Sequence, residues 1–77
     1  MRTIDPQLQR LREVEARIAF AEYHLREQEA AAARLAAGGL GAALAAESVR
    51  SVRDALLVLH RRHDELIVEI EGGRRAA

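Results

Sequence analysis

Two stretches of this chain, each about thirty residues long and free of internal glycine and proline, carry buried-type residues in alternating steps of three and four. In the first the series is Leu11, Val14, Ile18, Ala21, Leu25, Gln28, Ala32 and Leu35. In the second it is Ala45, Val49, Val52, Leu56, Leu59, His63, Leu66 and Ile70. A sustained mean period of 3.5 is the heptad pattern, in which one narrow seam of each helix faces another helix. Each seam admits one polar residue, Gln28 in the first and His63 in the second.

Local punctuation sets the boundaries. Asp5 followed by Pro6 reads as an N-cap and first helical residue, because the carboxylate accepts from free amides and proline lacks only a donor the helix does not use there. Helix one is predicted over about 6–37. Gly38-Gly39-Leu40-Gly41 then forms a turn over 38–41: Gly38 suits the left-handed position past the helix end, Leu40 folds back, and Gly41 caps the second helix. Helix two is predicted over about 42–71, ended by Gly72-Gly73, with 72–77 as a frayed tail. So short a linker turns the second helix back along the first. The expected fold is all-α, a single-domain antiparallel two-helix hairpin with coiled-coil-like packing and about 45 Å long. Residues whose numbers sum to about 79 should lie side by side, which sets Ile18 against Leu59 and Leu25 against Val52.

The apolar residues outside the seams constrain the assembly. On a helical wheel Leu57 and Val68 fall together off the second seam, Ile67 widens it, and Ala16, Phe20 and Tyr23 lie nearly opposite the first. Two helices cannot cover these second faces. Of the apolar residues, sixteen are alanine and only two are aromatic, so a chain of 77 residues has a thin core for a monomer. Two hairpins are therefore expected to pair as a homodimer, making a four-helix bundle with twofold symmetry. Phe20, Tyr23, Leu57 and Val68 are the expected interface, and the Phe20–Tyr23 pair is also a candidate docking point for another protein.

Composition removes several functions. Twelve Arg against twelve Asp plus Glu leaves no net charge, which disfavours nucleic acid and polybasic membrane attachment as targets. With no cysteine, disulfides, thiolate metal sites and thiol catalysis are excluded. Nothing resembles a secretion signal or a spanning segment, so a cytoplasmic location is expected. Arginine without any lysine, beside abundant alanine, is the composition of GC-rich bacterial coding.

Candidate chemistry centres on the histidines. His60 and His63, with Asp64, sit within one helical turn. A metal site would take the two rings and a carboxylate such as Glu15 or Glu22 from the facing helix. The competing reading makes His63 a register-fixing polar seam residue and pairs His60 with Glu22 across the hairpin. Gln28 either bonds across the bundle, to its counterpart or a backbone carbonyl, or reaches water near the helix end. His24, at a flanking position, is expected to be a surface or interface residue and no ligand. Arg50, Arg53, Arg61 and Arg62 form a basic edge that a phosphate backbone could contact, but Glu47, Asp54, Asp64 and Glu65 interrupt it. Glu13–Arg17 and Glu22–Arg26 are spaced for ion pairs along the first helix. The glycine cluster follows a helix, with neither a preceding strand nor a lysine, so it is no phosphate loop. Ser48 and Ser51 lie far along the helix from His60. No catalytic residue and no cofactor is called for.

The motif Ile18, His24, Leu25, Gln28, Leu35 and Gly39, followed by Leu59, His60, His63 and Leu66, resembles a set of small, uncharacterised alphaproteobacterial proteins. These read Ile-x5-His-Leu/Ile-x2-Gln, then x6-Leu-x3-Gly, then Leu-His-x2-His/Arg-x2-Leu. The likeness spans about fifty residues and implies the helical hairpin but no activity. Such proteins often have Asp where this chain has Gly41, which implies a weaker cap and a less sharply started second helix. The functional expectation is a non-catalytic interaction or scaffolding module acting as a homo-oligomer. Its alternatives are a metal-binding bundle using His60 and His63, and a weak nucleic-acid accessory protein using the arginine edge.

Overall fold

The computed structural model describes residues 5–39 and 41–76. Helix α1 spans Pro6–Ala37 and helix α2 spans Ala42–Ala76. They run antiparallel, packed along their seams into a hairpin. Side-chain bonds between Gln28 and Ser48, Glu29 and Arg53, and Glu15 and His63 give the register. Each pair sums close to the expected 79.

The caps explain where α1 begins and ends. Asp5 is extended (φ −62°, ψ 119°), and its carboxylate accepts from the Gln7 amide at 2.9 Å. The Asp5 carbonyl accepts from the Gln9 amide at 3.0 Å, starting the ladder behind Pro6. At the far end the Gly38 amide donates to the Arg34 carbonyl and the Gly39 amide to the Ala36 carbonyl. The left-handed residue is Gly39 (φ 72°), not Gly38, which keeps a right-handed conformation (φ −84°). The chain thus reverses one residue later than the glycine expected to turn it. Gly41 (φ 60°) starts α2, its carbonyl accepting from the Ala45 amide at 3.0 Å. The fold-back expected of Leu40 lies outside the described residues.

Gly39 is the residue on which the turn depends. Nothing lies within 4 Å of where its Cβ would be. Gly39→Ala should therefore cost about 1–2 kcal/mol through backbone strain alone. Gly39→Asn should recover much of that, since asparagine tolerates the left-handed region. Urea midpoints of the three proteins test this, and an alanine variant as stable as the parent would contradict it.

Helix α2 does not stop at Glu71. It continues through Gly72 and Gly73, neither of which has a positive φ, and the expected frayed tail is helical to Ala76. Glycine ends a helix where the chain must reverse; elsewhere it costs only about 1 kcal/mol against alanine. Here Ile70, Gly73 and Arg74 of α2 border a crevice with Asp5, Gln7 and Leu8 of α1. The longer α2 contributes to a long dimension of 59 Å, beyond the 45 Å expected.

The interior is the seam with a few flanking residues. Val14, Val49, Leu56 and Leu66 are buried, while Leu11, Ile18, Ala21, Leu25, Gln28, Ala32, Ala45, Val52, Leu59, His63 and Ile70 are half-buried. Ile67 joins them, but Leu35, at the turn end of the expected seam, is exposed. The molecule is 24 Å wide and only 11 Å thick, the thickness of one helix. Its radius of gyration of 17.7 Å compares with about 11.5 Å for a compact domain of this length. No helix among the described residues is long and apolar enough to cross a membrane.

Candidate interaction surface

A hairpin one helix thick has two broad faces, one on each side of the seam, and two outer edges. The cross-hairpin bonds show which flank of α1 shares a face with which flank of α2. The Ser48 hydroxyl donates to the Gln28 side-chain carbonyl at 2.8 Å on one face. On the other, the Arg53 guanidinium donates to Glu29 at 3.1 Å, and His63 Nε2 lies 3.2 Å from Glu15 Oε2. With about 100° of rotation per residue, every other position follows from these three bonds.

The face marked by Glu29 and Arg53 is charged. Glu15, Glu22 and Glu29 repeat at seven-residue intervals down one flank of α1, opposite Arg53, His60 and Asp64 on α2. This arrangement matches the flanking charges of a coiled coil, here used within one chain. His63 is half-buried between two carboxylates, Glu15 and, with Nδ1 to Oδ1 at 3.9 Å, Asp64. The facing carboxylate is thus Glu15. His60 occupies the position one heptad beyond Arg53, facing Glu22, but no ion pair joins them among the described residues. Among those residues no three His, Asp or Glu side chains converge to hold a metal ion.

The face marked by Gln28 and Ser48 has the opposite character. Phe20, His24, Ala31 and Leu35 lie on this flank of α1, and Leu44, Ser51, Ala55 and Val58 on this flank of α2. Between the level of Phe20 and the turn, the positions that flank the seam on this side, His24, Ala31, Ser48 and Ala55, are not Asp, Glu or Arg, while Glu27 and Arg34 stand at its outer rim, one and two heptads after Phe20. Phe20 is 71% exposed, Val58 64% and Leu44 76%. The Phe20 ring stacks on His24, one turn further along, with centroids 6.5 Å apart and planes 12° apart. His24 is exposed, as anticipated.

The structure does not bring the four expected interface residues together. All four are exposed, but only Phe20 lies on the uncharged face. Tyr23 points from the outer edge of α1. Leu57 and Val68 occupy the outer edge of α2, turned toward the charged face, and Val68 sits in a shallow depression lined by Arg61, Asp64, Glu65 and Glu69. Leu35, Leu44 and Val58 complete the uncharged face without having been expected there. The heptad spacing assigns Leu35 to the seam and gives the other two no partner. The register sum is the signal that could have found them, because it sets Phe20 level with Val58 and Leu35 level with Leu44.

Gln28 accepts a bond across the hairpin from the Ser48 hydroxyl. A side-chain bond of this kind contributes about 1 kcal/mol and penalises slipped pairings that leave the amide unsatisfied. The same register sum sets Gln28 level with Ser51, but Ser48, one turn away, is the serine that flanks the seam.

The arginines do not form one edge. Arg53 is bonded to Glu29, and Arg62 lies 3.7 Å from Glu65 on the opposite flank, while Arg50 and Arg61 are outermost. The ion pairs expected within α1, Glu13 with Arg17 and Glu22 with Arg26, are not formed; among the described residues the only pair within one helix that joins glutamate to arginine is Arg62–Glu65. The chain matches no known family model, no curated protein and no solved structure.

Proposed function

We propose that this chain is a non-catalytic interaction module whose working unit is a homodimer, two hairpins closing into a four-helix bundle. The observation that supports this is the surface the single hairpin leaves in water. It exposes 6209 Å², whereas a compact monomer of its mass exposes about 4,700 Å². The excess, about 1,500 Å², is larger than the 800 Å² or so that each partner contributes to a standard protein interface. Much of it is apolar, because Phe20, Tyr23, Leu44, Leu57, Val58 and Val68 are all exposed in a layer of two helices with nothing on either face. Pairing hairpins is the arrangement by which such helices acquire a core.

Sedimentation equilibrium at micromolar concentration is the test. The expected mass is twice the chain's 8.5 kDa. A protein that sediments at 8.5 kDa while keeping full helicity by circular dichroism would refute the proposal.

A further inference from the structure

We infer that the second copy seats on the uncharged face, the one bearing Phe20, Leu35, Leu44 and Val58, and leaves the edge with Leu57 and Val68 in water. The inference rests on the dimer reading and adds to it which surface is used.

Three observations carry it. The first is electrostatic. The charged face already carries the chain's own Glu29–Arg53 and Glu15–His63 contacts, and a copy placed there would desolvate the row Glu15, Glu22 and Glu29 together with its partners on α2. On the uncharged face the only polar groups at the seam, Gln28 and Ser48, are bonded to each other, so covering them leaves that pair satisfied.

The second observation is self-complementarity. A twofold axis relating two apposed faces lies in the plane between them, either along the helices or across them. An axis along the helices sets Phe20 of one copy opposite Val58 of the other, and Leu35 opposite Leu44, because each pair lies at one level of the hairpin. An axis across the helices, through the level of Gln28, sets Phe20 opposite Leu35 and Leu44 opposite Val58. Both arrangements place each large apolar side chain against another. On the outer edge of α2 the same operations meet Arg61, Asp64, Glu65 and Glu69 around Val68.

The third is size. From Phe20 to the turn the strip runs about 25 Å, and the hairpin is 24 Å wide, so it presents about 600 Å² in projection. Contoured side chains raise the accessible area above that, to the scale of a standard dimer contact.

Two measurements test the assignment. In the first, the double variant Phe20→Glu/Val58→Glu is compared with Leu57→Glu/Val68→Glu by sedimentation. The first should weaken self-association by about a hundredfold or more, since it buries unpaired carboxylates, and should sediment at 8.5 kDa. The second should keep the doubled mass. The other measurement does not depend on breaking the dimer. The chain has no cysteine, so spin labels are placed on Ser51→Cys or on Glu22→Cys in the otherwise unaltered protein. Labels at position 51, on the uncharged face, should lie closer together across the dimer than labels at position 22, on the charged face. A parent dimer that survives Phe20→Glu/Val58→Glu, or that shows the reverse order of label distances, overturns the face assignment and leaves the dimer standing. A monomeric parent overturns both.

Discussion

Replacing Leu66 by alanine should cost about 3 kcal/mol of folding stability, the largest effect of any single truncation in the chain. Leu66 is 0% exposed and is the only side chain wholly withdrawn from water among the described residues. Large-to-small changes at such sites lose the transfer energy of the removed atoms and leave a cavity whose cost depends on how far the surroundings relax. Relaxation here is limited, because the neighbours above and below Leu66 along the seam, Leu59, His63 and Ile70, are held by their own heptad positions. His63 is further restrained by its contact with Glu15. The control is Leu57→Ala, which removes the same atoms from an exposed position and should change stability by no more than about 0.5 kcal/mol. Urea denaturation of both variants at one protein concentration gives the comparison. Equal losses at the two positions would mean that the seam is not where the stability lies.

The second large effect is in temperature. If two hairpins share one core, unfolding is coupled to dissociation, and the midpoint rises with protein concentration. A tenfold change in concentration is worth about 1.4 kcal/mol. Set against the unfolding entropy of two 77-residue chains, this corresponds to a rise of about 4 °C per tenfold. A monomeric hairpin would melt at the same temperature throughout. Calorimetry or circular dichroism from about 1 to 100 μM separates the two cases, with an expected total rise of about 8 °C.

The seam was readable because a 3.5-residue period has only one geometric meaning at this length: the chosen residues line one side of a helix. Every seam residue named from the spacing except Leu35 lies in the buried or half-buried stripe. Leu35 fails for a local reason, since the helices end beside it and the chain turns. The start of α1 was legible because Asp5 and Pro6 act through bonds within a few residues. The end of α2 was not. Gly72-Gly73 lowers helix propensity, but glycine stops a helix where the chain must reverse, and neither of these two takes a positive φ. The exchange of roles between Gly38 and Gly39 is a smaller case of the same kind, because in a run of adjacent glycines either can take the left-handed conformation.

Thus the sequence alone determined that this chain makes two long helices, which residues face inward, where the first helix begins and that the pair turns back at the glycine cluster. These are set by interactions of short range or by strict periodicity. Only the tertiary structure decided which polar side chains bond across the seam, that Leu35 is exposed at the turn, and that α2 runs on through Gly72 and Gly73. The bonds join distant residues, Gln28 with Ser48 and Glu29 with Arg53, and depend on the rotation and register of one helix against the other.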